Sequence, residues 1–189
     1  TSNGGRRFSY TYSTIDSVSR LTEISIEVQD GTDWGTPGTI TEIARVSYGY
    51  YHSGDNTHGP NGTLKLVTVR KILSPTDNDL DTGIYEERQT YYRYYTQSWA
   101  DSEDRRGGIG MLKMVVDAEG CRNFDWGEGG AESPEVLDNG FEGATDAALE
   151  AYSSAYLEYA SGSDYRVWKA FFSGECGCSG GSNGTHTFT

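Results

Sequence analysis

Residues 8–26 read FSYTYSTIDSVSRLTEISI, and the alternation of apolar and polar residues in this stretch is typical of a β-hairpin. Phe8, Tyr10 and Tyr12 recur at every second position, so a strand would place all three aromatic side chains on one face. A short polar turn follows, and then a second run of alternating aliphatic residues. The stretch therefore predicts two antiparallel strands joined by a tight turn.

The same order of residues recurs twice further along the chain: an aromatic residue, a tyrosine, a turn, an arginine and an aliphatic position. It is found in residues 156–172, YLEYASGSDYRVWKAFF, and in a longer form in residues 91–116, YYRYYTQSWADSEDRRGGIGMLKMVV. Each copy is predicted to be a hairpin whose tyrosines pack across strands, which stabilises a strand pair by about 0.2–1 kcal/mol per side-chain pair. One hairpin cannot bury its own face, so the repetition predicts a wound or stacked antiparallel sheet.

The composition favours an ordered, β-rich fold. Hydrophobic residues make up 35% of the 189 residues, yet aromatic residues reach 13%, a share that disordered chains lack. Helical spacing occurs in one place, so we expect one short helix near residues 145–154, with Thr145 as its N-cap. We expect residues 1–189 to form a single β-rich domain or a repeat segment, in which the acidic loop 74–83 would separate sub-units 1–73 and 84–189.

The charge and hydropathy patterns exclude several classes of partner. The formal net charge is −13, which repels phosphates and argues against nucleic-acid binding. No apolar run is long enough to span a bilayer, and no signal peptide is visible. The chain begins at Thr1, so we expect that a native start has been removed.

Three cysteines leave more than one pairing open. Cys176 and Cys178 are too close in sequence for an easy mutual bridge, so a disulfide from Cys121 to one of them is one interpretation. A zinc site built from the three thiols and His186 is the alternative, although no CxxC pair supports it. Both interpretations are structural.

One polar motif is typical of cation binding. In PTDNDLDTG, residues 75–83, acidic side chains alternate ahead of a glycine, as they do in calcium loops. The candidate calcium ligands are Asp77, Asp79 and Asp81. Arg88 stands where an EF-hand has its bidentate glutamate, and a solvated acidic loop is the competing interpretation.

The repeated pattern resembles the YD repeats of RHS-type proteins, large bacterial surface polypeptides. Tyr10, Tyr12 and Arg20-Leu21 carry the resemblance in the first copy, and the YYRYYT strand and the GGIGMLK segment extend it. Members of that family wind β-hairpins into a shell or serve as adhesion scaffolds, which implies an extracellular or cell-surface location. Two departures argue against a toxin-enclosing role: Ser13 and Ala160 replace the aspartate of the YD pair, and the self-cleavage motif is missing.

No motif predicts an enzyme. The chain has no GxSxG elbow, no HExxH and no phosphate-binding glycine loop. The adjacent acids Glu86 and Glu87 would point to opposite faces of a strand, so they cannot flank one glycosidic bond. Two non-enzymatic functions remain: a structural building block, and a calcium-assisted glycan-binding or adhesion module. The glycan-stacking candidates of the second are Trp34, Trp99 and Trp126.

The two ends of the chain share a short sequence. Ser2-Asn3-Gly4 precedes Phe8, and Ser182-Asn183-Gly184 precedes Phe188. We therefore expect copies, or adjacent repeats of one polypeptide, to join head to tail into a filament or surface array. The residues expected at this junction are Phe8, Tyr10, Tyr12, Asn183, Thr185, Thr187 and Phe188.

Overall fold

The fold is mainly β, as the alternation of apolar residues predicts. A computed structural model describes residues 5–29, 40–73, 80, 84–96, 107–127, 141, 143–159, 167–172 and 184–187. The strands are β1 (Gly5–Ile15), β2 (Val18–Gln29), β3 (Ile40–Tyr50), β4 (Leu64–Ile72), β5 (Tyr85–Tyr94), β6 (Leu112–Val116), β7 (Ala155–Tyr159), β8 (Val167–Phe172) and β9 (Gly184–Thr187). The helices are α1 (Ala118–Gly127) and α2 (Asp146–Glu150).

The strands pair in the order of the chain, from β1 to β9, in one sheet. Each of the three predicted hairpins is confirmed as an antiparallel pair: β1 with β2, β5 with β6, and β7 with β8. The chain also divides into two compact units, residues 1–49 with 66–89 and residues 50–65 with 90–189. The predicted boundary at residues 74–83 lies outside the described residues except for Leu80.

A two-residue turn closes the first hairpin. Ile15 and Val18 face each other across it, and the turn residues Asp16 and Ser17 have φ angles of 46° and 66°. Positive φ at both central residues is the type I′ geometry, whose twist matches that of the strands it joins. Neither residue is glycine, so this turn holds two side chains in the left-handed region.

An extra residue in β2 keeps the apolar side chains of the first hairpin on one face. Tyr10 lies opposite Ile24, but Tyr12 lies opposite Leu21, because the register shifts by one residue between Thr11 and Tyr12. Without this bulge, Leu21 would point to the other face from Ile24, since strand side chains alternate.

The opposite face of the same strands carries charges. Arg7 donates from Nε to a carboxylate oxygen of Glu27 over 2.6 Å. On β3, Arg45 donates from Nε to Glu42 over 3.0 Å and lies 3.7 Å from an oxygen of Glu23. The sheet of the first unit is therefore amphipathic, with ion pairs on one face and aromatic and aliphatic side chains on the other.

An aromatic stack forms the core of the second unit. Phe141 is fully buried and stacks on Tyr91 of β5, with ring centroids 4.8 Å apart. Its ring also stacks on Phe124 of α1 at 5.0 Å, and Phe124 meets Tyr152 edge to face at 5.3 Å. Such aromatic pairs add about 0.5–1.5 kcal/mol each beyond the area that they bury.

The helix predicted near residues 145–154 is found as α2, and Thr145 caps it. The Thr145 hydroxyl accepts a hydrogen bond from the Ala148 amide over 3.2 Å, as an N-cap does. Helix α1 corrects the expectation of a single helix. Residues 118–127 include glycine, asparagine and aromatic residues, which are weak helix formers, so tertiary packing of Phe124 stabilises a helix that propensity does not predict.

Candidate assembly surface

The first and last strands stand at the two ends of the strand order. Within the part of the chain that the structure describes, β1 pairs only with β2, and β9 pairs only with β8. The outer side of each strand therefore presents main-chain donors and acceptors that can bond to a further strand.

The turn fixes which amides of β1 point outward. Ile15 and Val18 flank a two-residue turn. The residues that flank such a turn form a hydrogen-bonded pair, so the N–H of Ile15 points towards β2. Because N–H directions alternate along a strand, the amides of Tyr12, Tyr10 and Phe8 point away from β2. The aromatic residues of β1 thus hold the outward donors of the edge.

The aromatic side chains of β1 are exposed to solvent. Phe8, Tyr10 and Tyr12 are 55%, 58% and 61% exposed, although all three lie on the face whose partners on β2 are aliphatic. Large aromatic side chains are usually buried, so an exposed row of three marks a surface suited to contact with another molecule.

The central part of β1 lacks the residues that normally prevent an edge strand from pairing with another strand. Residues 8–15, FSYTYSTI, contain no charged residue and no proline. Proteins discourage unwanted pairing at an edge with lysines, prolines or very short strands, whereas a segment of high β propensity and low charge favours pairing. Arg6 and Arg7 lie at the start of β1, ahead of this uncharged segment.

Strand β9 is the counterpart at the other end of the order. It pairs antiparallel with β8, from Phe172 opposite Gly184 to Lys169 opposite Thr187. The predicted assembly residues Thr185 and Thr187 lie in β9. Asn183 and Phe188, also predicted there, lie outside the described residues. The strand is 4 residues long, which limits a new pairing to a few hydrogen bonds.

A polar cluster around Arg93 was not predicted from the sequence. Arg93 of β5 is 1% exposed, and its guanidinium donates to Asp146 over 2.7 Å, to the Ala144 carbonyl over 2.8 Å and to the Phe141 carbonyl. Lys113 of β6 forms a second ion pair with Asp146. This Arg93 cluster ties the segment before α2 to two strands.

The Arg93 cluster keeps Asp146 ionised between two cations. Burial alone would raise the pKa of Asp146, but hydrogen bonds and charge from Lys113 and Arg93 outweigh it and lower that pKa. A carboxylate held ionised between two cations, with the arginine's donors directed at fixed acceptors, is suited to holding chain segments together. The signal in the sequence was a charged residue at position 93, between Tyr91 and Tyr95 on the buried face of a strand.

Tyrosine hydroxyls continue the network into the core. The hydroxyl oxygens of Tyr51 and Tyr91 lie 3.1 Å apart, and the Tyr51 hydroxyl donates to the Tyr92 carbonyl over 2.8 Å. Arg93 Nε lies 3.4 Å from the Tyr91 oxygen. Because a hydroxyl carries one proton, the consistent assignment is Arg93 to Tyr91, Tyr91 to Tyr51, and Tyr51 to the carbonyl.

Cys121 is a buried, free thiol in α1. Its sulfur donates to the Val116 carbonyl over 3.4 Å, and burial raises the pKa of the thiol to about 12. Cys176 and Cys178 lie outside the described residues, so the disulfide and the zinc site stay predictions.

The remaining candidate sites fall largely on undescribed parts of the chain. Asp77, Asp79, Asp81, Trp34 and Trp99 lie outside the described residues. Trp126 belongs to α1, but its side chain is not among those described.

Two searches of the described ranges bear on metals and membranes. Among these residues, no group of three or more His, Cys, Asp or Glu side chains is arranged to hold a metal ion. No helix within them is both long and apolar enough to cross a membrane.

Comparisons of the chain with protein-family models, with curated proteins and with solved structures find no match in any of the three. The resemblance to RHS-type proteins stays an expectation. The geometry of the sheet edges is therefore the main guide to function.

Proposed function

We propose that this protein is a structural, non-enzymatic building block of an extracellular filament or surface array, whose copies or adjacent repeats join head to tail by strand pairing. The observation that carries the proposal is the placement of β1 and β9 at opposite ends of the strand order. If β9 of one copy pairs with β1 of the next, the sheet continues from copy to copy.

The contact is heterologous, because the two surfaces that meet are different. A head-to-tail contact of this kind forms a ring when the rotation between copies closes, and a filament when it does not. Main-chain hydrogen bonds supply the attraction in strand addition, and side chains at alternate positions supply the selectivity. Tyr10 and Tyr12 occupy those positions on β1.

The Arg93 cluster stabilises the second unit, which carries the β9 edge. Ion pairs from Arg93 and Lys113 to Asp146 join β5 and β6 to α2, and the arginine of the first pair is buried. Removal of Asp146 would be costly, since it would leave the buried Arg93 guanidinium without its carboxylate.

A proline at Tyr10 tests the edge of β1. The Tyr10 amide points away from β2, so Tyr10→Pro removes an outward donor and leaves the pairing with β2 in place. Tyr10→Val is the matched control, because it also removes the ring but keeps the amide. We expect light scattering and electron microscopy to show assemblies for the wild type and Tyr10→Val, and dispersed particles for Tyr10→Pro.

Deletion of residues 181–189 tests the other edge. This variant lacks β9 and should also disperse, although its β1 is intact. Mixing it with Tyr10→Pro should give a short complex, since each variant retains the edge that the other has lost. Wild-type protein that stays monomeric at every concentration, or a deletion variant with unchanged particle size, would refute head-to-tail strand pairing.

A further inference from the structure

We infer that Asn61 is an acceptor for an N-linked glycan, so that the chain carries a sugar on the loop between β3 and β4. Asn61-Gly62-Thr63 is an Asn-x-Thr triplet with no proline at its second position, the sequence at which secreted proteins are N-glycosylated. Of the proposed function, only the extracellular location is needed here, because exported chains are the ones that meet this modification.

The triplet lies on a tight, exposed turn. The Thr63 amide donates to the Pro60 carbonyl over 3.1 Å, and Gly62 has a φ angle of 82°, whereas the φ angle of Asn61 is not positive. This is type II geometry, with Asn61 at the second position of the turn. The Gly62 amide also donates to the Tyr51 carbonyl over 2.6 Å, which fixes the turn to the end of β3. Asn61 itself is exposed to solvent.

The acceptor atom of the Asn61 side chain is accessible. Its Oδ1 accepts a hydrogen bond from Asn56 Nδ2 over 3.3 Å, and its Nδ2, which takes the sugar, bonds to no residue in the described part of the chain. The bond to Asn56 lies on the surface, so water can replace it at little cost. The Thr63 hydroxyl, the third element of the triplet, donates to the Pro60 carbonyl over 2.7 Å and is held on the same turn.

A second turn of the same geometry shows that the fold does not require asparagine at this corner. The Met111 amide donates to the Gly108 carbonyl over 3.0 Å, and Gly110 has the same φ angle of 82° as the glycine of the first turn. The corner residue here is Ile109, which is 62% exposed. Asparagine is favoured in turns partly because it tolerates the left-handed region, which Asn61 does not occupy. Turn geometry therefore does not explain the asparagine, and this favours a role for its side chain.

The modification is a glycosyl transfer from an activated donor. Asn61 Nδ2 forms a bond to the anomeric carbon of an oligosaccharide that is carried on a lipid pyrophosphate. The bond from that carbon to the phosphate oxygen breaks, the lipid pyrophosphate leaves, and a base of the transferring enzyme takes the proton from the nitrogen. The loop joins β3 and β4, which are interior in the strand order, so the glycan does not occupy an edge strand.

Secretion of the full chain from cultured eukaryotic cells, behind a cleavable signal peptide, tests the inference. Peptide-N-glycosidase converts a glycosylated asparagine to aspartate. Digestion in water enriched in heavy oxygen distinguishes this aspartate from the product of spontaneous deamidation. Mass spectrometry of the peptide that contains Asn61 reads this site alone, since Asn183-Gly184-Thr185 is another triplet of the same kind.

We expect a glycan on Asn61 in the wild type and in Thr63→Ser, which keeps the hydroxyl, and none in Asn61→Gln or Thr63→Ala. Asn56 is the internal control and should stay unmodified, because it is exposed in the same loop but has His58 at the third position of its triplet. Wild-type chain with an unmodified Asn61, in the medium and in the cells alike, would overturn the inference. A glycan on Thr63→Ala would also overturn it, because the triplet would not be what the enzyme recognises.

The second turn offers a gain-of-function test. Ile109→Asn/Met111→Thr places the same triplet around Gly110, and we expect a glycan at position 109 of this double variant. Ile109→Asn alone is the matched control and should carry none. A double variant that stays unmodified while Asn61 is glycosylated would overturn the assignment of acceptor presentation to the turn.

Failure of the glycan and failure of strand pairing are distinguishable, because the peptide mass does not depend on assembly. If strand pairing is wrong and the glycan is right, the secreted chain stays monomeric in light scattering and Asn61 carries the sugar. If strand pairing is right and the glycan is wrong, assemblies form from chain whose Asn61 is unmodified.

Discussion

Arg93 and Asp146 are 53 residues apart in the chain, and a 2.7 Å ion pair joins them while the arginine is 1% exposed. The pair connects β5 to the first turn of α2. The ring of Phe141, whose carbonyl accepts a hydrogen bond from Arg93, stacks on Tyr91. One guanidinium group therefore bonds β5 to Asp146 and to the carbonyls of Phe141 and Ala144.

Substitution of Arg93 should be strongly destabilising. Arg93→Ala leaves Asp146 with one cationic partner and leaves two carbonyls without their donor, so we expect the free energy of unfolding to fall by about 3–5 kcal/mol. Arg88, which pairs with Glu86 on an exposed part of β5, is the matched control, and Arg88→Ala should cost at most about 1 kcal/mol. Urea denaturation measures the free energy of unfolding of each variant. Equal decreases would show that the Arg93 cluster stabilises the protein no more than an exposed ion pair does.

The ionisation of Asp146 should make stability depend on pH in the acid range. Its folded-state pKa is lowered from the ordinary value of 3.8, so its contribution is fully present above that value and is lost as the pH falls through the folded-state pKa. Asp146→Asn does not titrate there. The difference in melting temperature between wild type and Asp146→Asn should thus narrow as the pH falls below about 4. A constant difference across this range would show that the charge of Asp146 contributes nothing.

Gly120 should not tolerate a side chain. A Cβ atom at this position would collide with the main-chain carbonyl oxygen of Tyr152, which cannot move aside as a flexible side chain can. Gly120→Ala should therefore destabilise the protein by about 1–3 kcal/mol. A Cβ atom at Gly143 meets no atom within 4 Å, so Gly143→Ala is the control and should cost almost nothing. Thermal unfolding of the two variants should separate them clearly.

A glycine in the turn of the first hairpin should stabilise the protein. Ser17 has a φ angle of 66°, where a Cβ atom is unfavourable, so Ser17→Gly should stabilise the protein by about 1 kcal/mol. Ser19→Gly, two residues further on in β2, should instead cost about 0.5–1 kcal/mol, because glycine weakens a strand. If both substitutions raise or both lower the free energy of unfolding, the positive φ angle of Ser17 does not destabilise the protein.

Cys121 should react slowly with thiol reagents in the folded protein. Its pKa of about 12 keeps the sulfur protonated at neutral pH, and the thiolate is the reactive form. In a Cys176→Ser/Cys178→Ser variant, mass spectrometry after iodoacetamide treatment should show little alkylation until urea unfolds the chain. Rapid labelling without urea would contradict the burial of this thiol. In the wild type, failure to label even in urea would instead favour the predicted disulfide.

The strands could be predicted from the sequence because their signal is local. Phe8, Tyr10 and Tyr12 show the period of two. The cap of α2 is equally local, because the Thr145 hydroxyl accepts a hydrogen bond from the nearby Ala148 amide. The Arg93 cluster could not be predicted in this way, because Arg93 and Lys113 lie 53 and 33 residues from Asp146 in the chain and only the fold brings them together. Helix α1 was missed for a related reason, since its stability comes from the packing of Phe124 and not from its own sequence.

The chain order of the strands also governs how the protein can fold. Each strand pairs with the strand just before it in the chain, and the two-residue turn of the first hairpin closes with a small loss of chain entropy. Hairpins of this kind form in about 1–10 μs, far faster than a ribosome adds one residue. The sheet can therefore grow on the ribosome one strand at a time, and it has two open edges throughout, β1 and the newest strand. Chaperones that cover exposed strands would have one fixed edge and one moving edge to protect, and a pause in translation would leave a different strand at the moving edge at each stage.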